Sequence, residues 1–350
     1  MKLAVTGASG LIGANVVRAA LAAGHETVAL ARPASDCRTA EALGATVLRA
    51  DLLGDKASLI AALRDVEVLV HTAATFSYSA DAEALHDIAV RGTKLVLEAA
   101  AAADVRRVVV TSSSVVFGHA TGPERLQEAD GLANGKSEPA YVAAKIAQDH
   151  LAREMGEWLG LQIVLACPTM TLGPTGSALG PSNGLVLTYL ADPFHSTWPG
   201  GCNLADAEDV GAAHVLLATD GEPGAHYLLG GENLRWSDIH REIGRLTGVG
   251  GPRLELSAAA ARLAAGAEEW RARLRCRDPL ASRTEAGMLG RYYWYDDSRA
   301  RALGYRPRAA AETLRRTVSW LVASRHVSRE LRSRIRLADD VHRLRYGAAA

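Results

Sequence analysis

The chain has 350 residues, 48% hydrophobic and 22% charged, and its 39 basic residues balance 39 acidic ones. That apolar share excludes a disordered chain, and the neutral total speaks against a dedicated nucleic-acid binder. Cys37, Cys167, Cys202 and Cys276 lie far apart without a CxxC pair, so neither a disulfide framework nor a metal site is expected.

Met1–Val5 runs straight into a Gly-rich turn, which leaves no room for a signal peptide. Apolar stretches are broken well before the ~18 residues a membrane span needs. A cytoplasmic protein without a membrane partner is expected. Residues 3–6 read as a strand, 11–23 as a helix, and Gly24 as its stop. Further strands are predicted at 27–31, 45–49, 66–71, 105–112 and 162–166, with Ala/Leu-rich helical patterns between them. Strands separated by helices imply a parallel, doubly wound α/β sheet that binds its ligand at the carboxyl ends of the strands. After Pro168 the rhythm breaks into Gly/Pro loops. Residues 214–218 and 226–229 read as a helix and a strand returning to the sheet. The predicted plan is a Rossmann domain over 1–167 with return segments at about 204–230. A smaller, mostly helical substrate domain follows from 168–203 and 231–322, and a charged helical extension from 323–350.

Thr6-Gly7-Ala8-Ser9-Gly10-Leu11-Ile12-Gly13 follows the first strand and opens the first helix. Gly7 allows a tight turn, Gly10 lets backbone approach a pyrophosphate, and Gly13 lets helix and strand pack closely. The helix N-terminus would present free N–H groups and a positive dipole end to that phosphate. Arg32 ends the second strand where an acidic residue would accept from a ribose 2′-OH. A guanidinium there suits a 2′-phosphate, so NADP is favoured over NAD; the competing reading is a solvated arginine opening a loop.

Tyr141 and Lys145 stand at i,i+4 on one predicted helix face, 28 residues after Ser113 in the serine run that closes the fifth strand. A free tyrosine, with a pKa near ~10, is a poor proton donor or acceptor at neutral pH, and a neighbouring ammonium would lower that value. A serine hydroxyl opposite could donate to a substrate oxygen as charge develops.

Taken together, the TGxxGxxG turn, the serine strand end and YxxxK resemble the extended short-chain dehydrogenases/reductases of the NAD-dependent epimerase/dehydratase superfamily. The resemblance implies Ser113, Tyr141 and Lys145 as the catalytic centre, with Ser113 selected by counting back from Phe117. It also implies cofactor contacts from Gly7, Ser9, Gly10, Leu11, Ile12, Gly13, Arg32, Asp51, Leu52, Tyr141 and Lys145, the lysine holding the nicotinamide ribose. Thr72, Ala73 and Ala74 would lie under the cofactor, and Pro168, Thr169 and Met170 would flank the nicotinamide. Asp51 has a competing reading as a helix cap, and His71 is read as structural. The chain departs from the family at Ala89, where Asn-Val-x-Gly-Thr has asparagine, so any role of that amide is open.

Residues 203–210 and 229–234 are similar to the dihydroflavonol-reductase-like and hopanoid-associated sugar-epimerase-like branches. The implied activity is NADPH-dependent reduction of a small, hydrophobic or aromatic carbonyl compound. A nucleotide-sugar epimerase or dehydratase with bound NAD is the alternative, and a non-catalytic NADP sensor a third. Phe76, Tyr78, Asn183, Trp198 and the 118–138 loop are candidate substrate contacts; Phe76, Tyr78 and Trp198 could equally pack a domain seam. As in many relatives, the helix from about residue 80 and the Tyr141 helix would form a homodimer interface. Charge is segregated along the chain. Residues 253–350 hold 21 Arg and 11 acidic residues, which leaves the first 252 with 18 basic and 28 acidic.

Overall fold

A computed structural model of the chain describes residues 1–74, 82–133, 138–174, 179–274 and 286–346. Phe76 and Tyr78 therefore lie outside the described residues. The first six strands are β1 (Lys2–Thr6), β2 (Glu26–Ala31), β3 (Thr46–Arg49), β4 (Val68–His71), β5 (Arg107–Thr111) and β6 (Gln162–Pro168). After them come β7 (Met170–Leu172), β8 (Ser196–Thr197), β9 (Gly201–Asp206) and β10 (His226–Leu229). Seven form one sheet in the order β10-β6-β5-β4-β1-β2-β3, and every pairing in it is parallel. The order reverses between β1 and β4, and there a doubly wound sheet opens its ligand crevice.

Alternation along the strands builds two cores, because successive side chains point to opposite faces. Leu3, Val5, Val70, Val109 and Val164 face one side and Ala4, Leu69, Val108, Val110 and Leu165 the other, all without exposure. The first face is covered by α1 (Leu11–Ala22). This helix stops as the glycine predicts: Gly24 has φ +78°, and the His25 and Gly24 N–H groups donate to the Ala20 and Leu21 carbonyls. Next come α2 (Arg38–Ala42), α3 (Lys56–Ala62), α4 (Ala82–His86) and α5 (Thr93–Ala102), with a π-helical turn over Asp87–Gly92 between the last two. The second face carries α3, α5 and α6 (Ala140–Leu159). Ala89 sits inside the π-turn, so the helix departs from α geometry there without the family's asparagine.

Helix α7 (Pro181–Ala191) leads to β8 and β9, and α8 (Ala207–Asp220) returns to pack on α1. Strand β9 also pairs with β11 (Glu232–Arg235) on one edge and with β7 and β13 (Tyr292–Tyr293) on the other. Beyond β11 run α9 (Trp236–Thr247), β12 (Leu254–Glu255) and α10 (Ala258–Leu274). A third apolar cluster joins Leu172, Leu204, Ile243 and Leu321 to Val327, Ile335 and Val341. Residues 327–341 thus dock on this cluster. Arg336 and Ala338 donate backbone N–H bonds to the Thr247 and Leu246 carbonyls at 2.7 and 3.0 Å. Among the described residues no helix is long and apolar enough to cross a membrane.

Candidate active site

A cleft of about 1470 Å³ opens where β1 and β4 diverge. The turn after β1 is tight: Gly7 has φ +68°. A Cβ on Gly7 would stand 2.8 Å from the Ala73 backbone, and one on Gly13 only 2.2 Å from the Gly7 carbonyl oxygen. Only the missing side chains let β1, the start of α1 and the segment after β4 approach so closely. A Cβ on Gly10 would meet nothing nearer than the Gly7 oxygen at 3.3 Å, so this position remains open for a ligand to draw close to backbone. The cradle fits a pyrophosphate.

All the residues predicted to hold the cofactor line this cleft. Gly7, Ser9, Gly10, Leu11, Ile12 and Gly13 form its floor, with Arg32, Asp51 and Leu52 at one end. Thr72, Ala73 and Ala74 lie beneath, and Tyr141, Lys145, Pro168, Thr169 and Met170 stand at the other end. Sequence reasoning passed over Ser35, which lines the cleft beside Arg32; its place in a loop gave no signal. The competing reading of Asp51 is excluded, because the cap of α3 is Asp55, which accepts from the Ala57 and Ser58 N–H groups. Asp51 instead accepts from the Leu53 N–H at 3.1 Å.

Three chemical groups meet at the far end. Ser113, extended at the end of the β5 segment, hydrogen-bonds the Tyr141 phenol. Its neighbours are engaged elsewhere: Ser112 donates to buried Asp149 at 2.8 Å, and Ser114 bonds the Tyr295 phenol. Lys145 is buried and donates to the Thr111 carbonyl at 2.9 Å and to Gln148 Oε1 at 2.8 Å. The electrostatics differ from the expectation. Burial pushes the Tyr141 phenol up to about 12 against the lowering effect of its Ser113 bond, so desolvation outweighs any help from the lysine. Burial likewise brings Lys145 down to about 8, opposed by Cys167 and Asp149. His71 is buried, and desolvation and Lys145 hold it down to about 3.

Beyond this trio the cleft turns apolar, walled by Leu185, Phe194, Trp198, Trp236, Leu256 and Met288. Helix α10 covers it with Ala261, Ala264 and Ala265, followed by Glu268 and Arg271, an ion pair at 3.7 Å. Trp198 reaches the cleft as predicted. Asn183 also borders it, but its amide is spent on the fold, accepting from the Gly173 N–H and donating to the Gly173 carbonyl. The described residues of the 118–138 loop do not wall the cleft. They are stitched to the aromatic run instead, through Ala120 with Tyr292 and Leu126 with Tyr295, and Tyr295 donates to the Gly118 carbonyl at 2.8 Å. The alanines that α10 contributes to the wall escaped sequence reasoning because alanine carries no chemical signature.

The model of the NAD dependent epimerase/dehydratase family matches residues 3–230. The chain belongs to this family. As a member it is an NAD(P)-dependent oxidoreductase acting on CH–OH/C=O groups. Cinnamoyl-CoA reductase 1 of Oryza sativa subsp. japonica is 33% identical over 69% of this chain and 75% of that protein. Sterol demethylase protein B of Methylococcus capsulatus is 32% identical over 73% of this chain and 77% of its own length. The solved nucleoside-diphosphate-sugar epimerase PA4631 from Pseudomonas aeruginosa superposes with a TM-score of 0.75 at 28% identity, covering 94% of this chain and 99% of that one.

Proposed function

We propose that this family member is an NADPH-dependent reductase of a small, hydrophobic or aromatic ketone or aldehyde. The observation that carries the reading is the meeting of Ser113, Tyr141 and Lys145 at the boundary between the glycine cradle and the apolar half of one cleft. Arg32 supports NADPH, because its exposed guanidinium borders the cleft where an acidic residue would favour NAD. Cinnamoyl-CoA and sterol, in the names of the two relatives, agree with an apolar substrate.

When bound, the nicotinamide cofactor supplies the hydride. The residues of the chain supply the proton and the geometry. Burial keeps Tyr141 protonated at neutral pH, so it holds the hydrogen that a developing alkoxide needs. Ser113 bonds the same phenol and orients the substrate oxygen between the two hydroxyls. Lys145 commits two of its three hydrogens to Thr111 and Gln148, which leaves the third for the nicotinamide ribose, while its charge stabilises the phenolate that forms. The apolar wall excludes water from the reacting carbon.

The alternative, an epimerase that oxidises and re-reduces one sugar carbon, draws on the likeness to the solved epimerase. Cofactor stoichiometry separates the two. With deuterated NADPH and cinnamaldehyde as the probe carbonyl, the reductase reading predicts one cofactor oxidised per alcohol formed, with deuterium on the new carbinol carbon. Protein that carries tightly held NAD, consumes no NADPH and interconverts a nucleotide sugar would overturn it.

A further inference from the structure

Behind Lys145 a row of polar groups crosses the core, none of them more than 3% exposed. Hydrogen-bond chemistry fixes the direction of its first two links. An ammonium only donates, so the Gln148 amide must turn Oε1 to Lys145, at 2.8 Å. Its Nε2 then donates to Thr93 Oγ1, also at 2.8 Å. Thr93 Oγ1 lies 3.1 Å from His71 Nε2, and His71 Nδ1 lies 2.8 Å from Thr6 Oγ1. With the imidazole proton on Nδ1, Thr93 donates to Nε2 and Nδ1 donates to Thr6. Thr6 immediately precedes Gly7 and also accepts from the Ala73 N–H at 3.3 Å, so the row ends under the cofactor turn. In that tautomer every bond of the row runs the same way, and bonds aligned head to tail polarise one another.

Ala89, in the π-turn next to α5, offers only a methyl where the family pattern has an amide. Gln148 brings an amide in from α6, one helical turn beyond the lysine itself. The strand register brings in the rest, since Thr6 and His71 are direct partners in the β1–β4 pair. A neutral imidazole is required in the middle of the row, and burial holds His71 neutral throughout the physiological range.

We propose that Gln148 is the positioning residue of Lys145, acting through a one-way chain Lys145–Gln148–Thr93–His71–Thr6 that couples the lysine to the cofactor turn. The inference rests on the reading that Lys145 holds the ribose. Gln148→Glu tests the direction. A carboxylate has no hydrogen to give, so Thr93 would donate to it and accept from His71, moving the imidazole proton from Nδ1 to Nε2. Nitrogen-15 spectra of the histidine-labelled full-length protein should show the Nδ1–H form of His71 in the wild type and the Nε2–H form in Gln148→Glu. Gln148→Met, which keeps the length without the amide, should weaken NADPH binding about tenfold, the effect of losing one hydrogen bond to a charged group. An unchanged His71 tautomer in Gln148→Glu, or wild-type NADPH affinity in Gln148→Met, overturns the chain. Lys145→Met is the control: wild-type NADPH affinity in that variant would overturn the ribose role of the lysine itself.

Discussion

Arg32 shows how much one side chain at a strand end can decide. It directly follows β2, exposed on the cleft beside Ser35, while Arg49 clasps the backbone there, donating to the Arg32 and Ser35 carbonyls at 3.1 and 2.8 Å. In the proposed NADPH reading, a loop braced in this way would present Arg32 to the 2′-phosphate without having to order it first. Arg32→Asp should therefore reverse the preference from NADPH to NADH by about a hundredfold, the worth of two charge-assisted hydrogen bonds. Comparison of kcat/KM for the two cofactors measures this, and an unchanged ratio would sink the assignment. At this scale the sequence was most legible where chemistry and spacing coincide, as at Gly7, Tyr141 and Lys145. It was misleading at Asn183, because nothing in a sequence tells that a polar side chain is already claimed by the Gly173 backbone.

Among the elements, the parallel strands were readable from their apolar runs, and Gly24 marked the end of α1. Boundaries drifted where pairing, rather than composition, sets them. Strand β6 runs to Pro168, beyond the predicted 166, because β10 pairs alongside it as far as Leu229. The pairing of the 118–138 loop with residues 292–295 was invisible for the same reason, since such contacts join segments some 170 residues apart. Local patterns carry no record of them. The π-turn over Ala89 was equally hidden, although the departure from the family motif pointed to that place. Behind Lys145, α6 supplies Gln148 and α5 supplies Thr93, which accepts from the Gln148 amide.

Across the whole molecule, the segregated charges meet. Arg308 binds Asp209 at 2.7 Å and Glu208 at 3.3 Å, Arg316 pairs with Glu208, and Arg18 of α1 reaches Glu208 at 3.1 Å. The basic C-terminal segment is thereby fastened to the acidic start of α8. Stability should be governed instead by buried histidines. Burial lowers His71 to about 3 and His214 and His240 to about 4, whereas the unfolded chain takes up these protons near ~6.5. Between those values the unfolded state binds more protons, so stability falls as pH falls, by about 1.4 kcal/mol per pH unit for each histidine. Asp206, raised to about 6 by burial, is protonated first in the folded state and offsets part of this slope. Urea midpoints should drop steadily from pH 6.5 to pH 4; a flat profile would contradict the burial of the three rings as neutral species. The catalytic account depends above all on one proton, that of the Tyr141 phenol. Its most direct test is Tyr141→Phe, assayed for NADPH binding by fluorescence and for turnover with cinnamaldehyde. The account predicts unchanged NADPH affinity with turnover lowered about a hundred- to ten-thousandfold, and turnover near the wild-type rate would contradict it.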